Sequence, residues 1–260
     1  MKSGFIALAS VAASAFLATS AAADTIYNSI PASLPVNMTS EGYECCQVGQ
    51  LGDEIAFGGT QRNLSTVTVV MSNWAYQGKY PGFDNGSGGY NVNLTLNLYN
   101  DAGGALGSLI ASQTITASIN WRPESDGCGD YGDGYYVGQT CYNGQLQEVT
   151  FDFTGVTVPD NIIYGLAFNT RNYGASPTGV SGPYDSLNFA LNDVAPSVGV
   201  DVNGNQAFVD TSGTFGPDNG WTPYTPALRF ETTAAPEPAT LALLGTGLAG
   251  MFAARRRRKA

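Results

Sequence analysis

The chain has 260 residues, no histidine and a formal net charge of −10. The absence of histidine excludes Ser-His-Asp and Cys-His catalysis, together with metal centres that need a histidine ligand. Six of the 11 Lys and Arg residues, but only one of the 21 Asp and Glu residues, lie outside residues 24–235, so this central part carries a charge of about −15. Such a charge disfavours binding to nucleic acid, whose phosphates are also negative.

The first residues have the three-part layout of a secretory signal peptide. Lys2 gives a positive start, residues 5–17 form an uncharged apolar run, and small residues precede Asp24. The run is shorter than the ~20 apolar residues that span a bilayer, and the A-x-A pattern ending at Ala23 is a typical cleavage site. We predict a signal peptide over residues 1–23, cleaved between Ala23 and Asp24 after recognition by the secretion machinery.

Residues 24–231 are predicted to form one exported all-β domain. In residues 90–99, apolar side chains at the even positions alternate with mostly polar ones at the odd positions, which is the period of a half-buried strand. Many short strands separated by glycine and proline favour a jelly-roll-like β-sandwich, with helix nearly confined to the two termini. Further strands are expected at 54–57, 65–74, 110–119, 149–153, 162–168, 186–191 and 228–231.

A β-hairpin is predicted near the C-terminal end of this domain. Residues 198–202 and 206–210 are apolar enough for two strands, and Asn203-Gly204 lies between them. Asn-Gly readily adopts the positive φ angles of a type I′ turn. We therefore expect these two strands to pair with each other.

The four cysteines predict disulfide bonds, because their number is even and an exported protein meets an oxidising environment. Adjacent cysteines bond each other only with strain, so one pairing joins Cys45 and Cys46 to Cys128 and Cys141. The other pairing joins Cys128 to Cys141 and leaves Cys45 and Cys46 as a vicinal pair. A zinc site is disfavoured, since the chain has no histidine and no C-x-x-C motif.

The loop over residues 126–142 combines glycine, tyrosine and three aspartates, Asp126, Asp130 and Asp133. Oxygen ligands on a flexible loop are suited to Ca²⁺, and exposed tyrosine rings are suited to stacking on sugars. The simpler interpretation is a solvated, disulfide-linked loop in an acidic protein. We favour this interpretation and predict no cofactor, with Ca²⁺ as the alternative.

The C-terminal segment has a sorting-signal layout. Residues 232–260 contain a linker, the motif Pro236-Glu237-Pro238 and sixteen uncharged residues, 239–254. Sixteen helical residues reach ~24 Å, enough for a short transmembrane helix in a locally thinned bilayer. The positive-inside rule places the basic end 255–260 in the cytoplasm and the domain outside. The stop signal consists of Arg255, Arg256, Arg257, Arg258 and Lys259.

Pro-Glu-Pro, a short apolar span and a terminal arginine cluster resemble the PEP-CTERM tail that exosortases recognise. The same tail is also labelled as the C-terminal domain of ice-binding proteins, a label that implies nothing about ice for this chain. The resemblance covers about residues 235–260. It implies an exosortase partner, a transient stage in the inner membrane, processing near the motif, and a final place at the cell surface or outside the cell. Bacteria with this family of tails also make exopolysaccharide, which is a further expected partner.

Two functions fit these features. A structural surface or matrix protein is favoured, because the tail indicates sorting and the expected sheet faces are polar. The alternative is a carbohydrate-binding jelly roll that uses Trp74, Trp121 and Trp221, although core packing is the simpler role for each indole. We expect no enzyme and name no catalytic residue. Only a carboxylate-based glycosidase, with acids such as Asp53 and Glu54, stays compatible with the composition.

Overall fold

Antiparallel strands account for most of the central part of the chain. The computed structural model describes residues 23–129 and 131–233, together with Gly247. This part contains sixteen strands, the short helix α1 (Tyr43–Cys46) and three 3₁₀ turns, Gln77–Lys79, Pro81–Phe83 and Pro183–Ser186. The strands are β1 (Thr25–Asn28), β2 (Ser40–Gly42), β3 (Gln50–Ala56), β4 (Leu64–Asn73), β5 (Gly89–Asp101), β6 (Leu106–Asn120), β7 (Tyr135–Val137), β8 (Thr140–Tyr142), β9 (Gln145–Asp152), β10 (Asn161–Phe168), β11 (Leu187–Asn192), β12 (Val200–Asp201), β13 (Gln206–Asp210), β14 (Phe215–Asn219), β15 (Thr225–Pro226) and β16 (Leu228–Thr232).

Two seven-stranded sheets pack face to face. Sheet A contains β1, β2, β4, β9, β11, β15 and β16, and sheet B has the order β14-β13-β3-β10-β5-β6 with β12 also paired to β3. Their inner faces share one hydrophobic cluster, in which Tyr164 of sheet B lies 6.1 Å from Phe230 of sheet A between ring centroids. The predicted all-β sandwich is therefore confirmed.

Strand β5 shows how the sequence pattern builds this core. Val92, Leu94, Leu96 and Leu98 are buried between the sheets, whereas the odd-numbered side chains between them lie on the outer face. Because side chains of a strand alternate between its faces, the pattern fixes which face is inward. Burial of each such leucine contributes about 1.5–3 kcal/mol to folding.

The hairpin predicted around Asn203-Gly204 does not form. Strand β12 pairs with residues 55–56 of β3, and β13 pairs with residues 50–52 of the same strand, so the two lie one after the other on one edge. Gly204 has the expected positive φ of 47°. However, the dipeptide lies in a loop that connects β12 to β13 along this edge. The prediction was wrong because the open edge of β3 offers both strands a better partner. The observed hairpin joins β13 to β14.

Strand β1, which the sequence pattern did not indicate, closes the domain. It pairs antiparallel with β16, so that Thr25 lies opposite Glu231. Residues Ala23–Thr233 form one compact unit. In the part of the chain that the structure describes, no helix is long and apolar enough to cross a membrane. Most of the predicted signal peptide, the span 239–254 and the basic end lie outside that part.

Candidate functional site

A cleft of about 120 Å³ opens where several strands end or begin on one side of the sandwich. The end of β4 and the start of β9 meet there, because Asn73 pairs with Gln145. The end of β6 also lies opposite the start of β5. Loops at these ends converge because antiparallel neighbours place opposite termini side by side. The lining residues are Trp74, Lys79, Arg122, Tyr131, Asp133, Asn143 and Ser186.

Arg122 organises the floor of the cleft. The residue is only 2% exposed, its Nε donates to the carbonyl oxygen of Trp74 at 2.8 Å, and an Nη donates to that of Asp133. The guanidinium carbon lies 4.6 Å from the ring centroid of Tyr76 and 5.5 Å from that of Tyr135. Burial lowers the pKa of Arg122, yet guanidinium stays charged in proteins. The side chain therefore ties the loop that follows β4 to the loop that precedes β7 through one cation.

A salt bridge forms one wall of the cleft. Lys79 Nζ donates to Asp133 Oδ2 at 2.8 Å, and the Tyr76 hydroxyl donates to the other carboxylate oxygen at 3.4 Å. The bond to Asp133 raises the pKa of Lys79, and the bond from Lys79 lowers the pKa of Asp133. Both groups are about half exposed, so they present a charged donor and a charged acceptor to a ligand.

Aromatic rings surround this polar wall. Tyr131 is 84% exposed, and Tyr80, Phe83 and Tyr184 form a chain of edge-to-face contacts with centroid separations of 6.0–6.3 Å. The Tyr80 hydroxyl lies 3.2 Å from Ser186 Oγ, which connects this chain to the cleft. Exposed rings beside hydrogen-bonding groups suit the apolar face and hydroxyls of a sugar.

The three tryptophans do not form one platform. Trp74 lines the cleft and donates from Nε1 to Ser72 Oγ at 3.0 Å. Trp121 packs 4.9 Å from Tyr90 between ring centroids, whereas Trp221 donates to Asp218 at 2.9 Å. Of the three tryptophans proposed as sugar contacts, the structure places only Trp74 at the candidate site.

The disulfide beside the cleft joins Cys128 to Cys141, so the second of the two pairings is observed. It links the tyrosine-rich loop to the hairpin of β7 and β8. Cys45 and Cys46 are exposed and unbonded, with their Sγ atoms 2.8 Å apart. The pairing of these two with Cys128 and Cys141 is therefore not observed.

The aspartates of the loop point to different partners. Asp126 accepts a hydrogen bond from the backbone N–H of Tyr136 at 3.0 Å, and Asp133 binds Lys79. Asp130 lies outside the described residues. Among the described residues, no three of the acidic or cysteine side chains are grouped for metal binding.

The adjacent acids Asp53 and Glu54 also separate in space, because neighbouring residues of a strand face opposite sides. Asp53 is fully buried between the sheets, where its carboxyl group bonds the Thr225 hydroxyl at 3.1 Å and the Glu54 backbone N–H at 2.8 Å. Burial raises the pKa of Asp53 well above its ordinary value, and Asp201 adds to the rise. Nearby, the buried hydroxyls of Tyr27 and Tyr164 have no hydrogen-bond partner among the described residues.

The sequence indicated the aspartate loop and Trp74 but missed Lys79, Arg122, Asn143 and Ser186. These four come from separate segments that only the fold brings together. One signal was present: residues 24–235 contain few Lys and Arg, and two of them meet at this cleft. Because positive side chains are scarce in this acidic domain, each of them was a candidate functional residue.

Comparison with known families concerns the C-terminal segment. Residues 234–258 match the family model of the PEP-CTERM protein-sorting motif. This match includes Pro236, Glu237 and Pro238 and confirms the resemblance seen in the sequence. It supports an exported protein that is directed to the cell envelope and processed by an exosortase. No curated protein and no solved structure significantly matches the chain.

Proposed function

We propose that this chain is a structural protein of the cell surface or extracellular matrix. The observation that carries the proposal is the sorting motif at residues 234–258, which follows directly after the β domain. The predicted signal peptide and the basic end 255–260 give the same topology, with the domain on the outer side of the inner membrane. After a transient membrane stage, an exosortase processes the tail and the domain is delivered outside.

The character of the domain supports a structural role. It is strongly acidic, it is held by one disulfide beside a polar loop, and its outer sheet face is built from Asn, Thr and Ser side chains. Such a surface is soluble and forms hydrogen bonds with hydrated polymers. The proposal includes no catalytic step.

The test compares the chain in producing cells with and without their exosortase. We expect a mature protein that lacks residues 1–23 and the tail after about Pro238, found in the medium or matrix only when exosortase is present. Intact mass and cell fractionation measure both properties. A full-length C-terminus in the inner membrane of both strains would overturn the proposal.

Variants in the chain itself provide a second test. Replacing both Pro236 and Pro238 by alanine should retain the protein in the membrane fraction, because the motif is altered. Pro177→Ala, in an exposed loop of the domain, is the matched control and should leave delivery unchanged. Equal delivery of both variants would show that the proline motif is not needed.

The cleft favours a second candidate function, binding of a glycan such as exopolysaccharide. The observation that favours it is the combination of Trp74 and Tyr131 with the Lys79–Asp133 pair in one cleft of about 120 Å³. The rings would cover the apolar face of a sugar, while the charged pair would bond adjacent hydroxyls. This candidate is compatible with delivery to a matrix.

Glycan binding is testable with two tyrosines of the same loop. Tyr131→Ala removes a ring of the cleft, whereas Tyr136→Ala removes an exposed ring that does not line it. We expect the first variant to weaken retention on immobilised host exopolysaccharide by about tenfold and the second to change it little. Equal retention of the two variants would remove the cleft from the proposal.

A further inference from the structure

Strand β6 is an outer edge of sheet B. It pairs with β5 along its whole length, from Asn120 opposite Gly89 to Leu106 opposite Asp101. On its other side, two side chains of the described part of the chain bond the backbone near the end of β6. Gln147 bonds Ser118 and Asn120, and Asn73 Nδ2 donates to the carbonyl oxygen of Asn120 at 2.7 Å. The backbone groups of residues 111–117 that face away from β5 are therefore available to another strand.

The composition of this edge differs from that of the edges formed by β14 and β9. Its fifteen residues include no charged residue and no proline. By contrast, β14 contains Pro217 and Asp218 in five residues, and β9 contains Glu148 and Asp152. Proteins usually place charges or prolines on an exposed edge, because a long uncharged edge pairs with other strands. The pairing of β6 with β5 has two irregularities between Leu106 and Ala111, but residues 111–117 have none and lack that protection.

The outer face next to this edge is ordered and uncharged. Side chains of β5 and β6 bond across the strands in successive rungs, with Thr95 and Thr114 at 2.8 Å, Ser112 and Asn97 at 2.7 Å, and Thr116 and Asn93 at 2.7 Å. Near the start of the strand, Leu109 is 54% exposed. These rungs hold residues 112–116 in a regular extended form, so this part of the edge is ready to pair without further ordering.

We propose that β6 pairs antiparallel with β6 of a second copy of this chain, so that sheet B continues through a two-fold symmetric dimer. An antiparallel edge is self-complementary, because the same residues serve on both sides of the two-fold axis. Electrostatic repulsion also favours this contact over others. Two acidic domains repel each other at most surfaces, whereas pairing of the two β6 strands brings no charged side chains of these strands together. The protected β14 edge explains why pairing stops at two copies.

The association is measured by sedimentation velocity over a range of concentrations, using the protein purified from producing cells. The wild type should pass from monomer to dimer as concentration rises. Replacing both Ser112 and Thr114 by lysine places like charges on the edge and should weaken the dimer by about tenfold or more. Replacing their partners Asn97 and Thr95 by lysine breaks the same side-chain bonds one strand further in and should weaken it about threefold or less.

Amide hydrogen exchange of the unmodified protein locates the contact independently of any variant. Residues 111–117 should become more protected at concentrations where the dimer forms. A monomer at every concentration, equal dimerisation of the two lysine variants, or protection that maps to another strand would overturn the proposal. So would protection of β6 that requires added exopolysaccharide rather than a second copy.

Discussion

Asp53 and Asp133 are the same residue type in two contrasting regions. Asp53 lies in the dry space between the sheets and forms no salt bridge with a described Lys or Arg, whereas Asp133 lies at the cleft and binds Lys79. Burial raises the pKa of Asp53, and the bond from Lys79 lowers the pKa of Asp133. Burial thus favours the protonated form of Asp53, and the ion pair with Lys79 favours the charged form of Asp133.

The largest effect is expected from removing the core carboxyl group. Asp53→Ala leaves the Thr225 hydroxyl and the Glu54 N–H unpaired in the core, and should lower the free energy of unfolding by about 3 kcal/mol. Asp53→Asn keeps both bonds and should be at least as stable as the wild type at pH 7. Urea unfolding of the two variants measures this difference. Equal losses would show that Asp53 is charged in the folded protein.

Removing the cation under the cleft should have the next largest effect. Arg122→Met leaves the carbonyl groups of Trp74 and Asp133 without their donor and should cost about 2 kcal/mol. Arg171→Met, at an exposed position, is the matched control and should change stability little. Similar unfolding midpoints for the two variants would mean that Arg122 does not hold the loops together.

The pH dependence of the free energy of unfolding tests the raised pKa of Asp53. We expect this effect to be smaller than that of removing Arg122. An unfolded aspartate ionises near pH 3.9, and the folded pKa of Asp53 is higher, so the folded state binds the proton more tightly. The stability that Asp53 contributes is therefore complete below about pH 4 and declines as the pH rises towards the folded pKa.

Asp53→Asn isolates this contribution from the general repulsion among the acids. Urea midpoints between pH 3.5 and 7 should fall more steeply for the wild type than for this variant. Parallel curves for the two proteins would contradict the raised pKa of Asp53.

The smallest effect is expected at the cleft carboxylate. Asp133→Asn removes a half-exposed salt bridge, which is worth less than about 1 kcal/mol at neutral pH. Because the folded pKa of Asp133 is lowered, this contribution is present above the unfolded pKa and is lost as the pH falls. A double-mutant cycle with Lys79→Met measures the pair. A coupling much larger than this would contradict the view of Asp133 as a solvent-screened group.

Most of the sandwich could be predicted from the sequence, but the candidate site could not. Strand positions follow from local alternation, as β5 shows, and β13 has the predicted bounds of 206–210. The cleft needs residues from four segments, and no local pattern predicts that Lys79 will meet Asp133. The short strand β1 was missed because four residues give too little alternation to recognise.

The sequence by itself determined the all-β character of the domain and the sorting motif of the tail, because both depend on residues that are adjacent in the chain. Only the tertiary structure decided which elements are partners. In the fold, Cys128 bonds Cys141, β12 and β13 both pair with β3, and β6 lies at an open edge. The reason is that strand and cysteine partners are chosen by distance in the fold, where competing partners with similar local sequences are available.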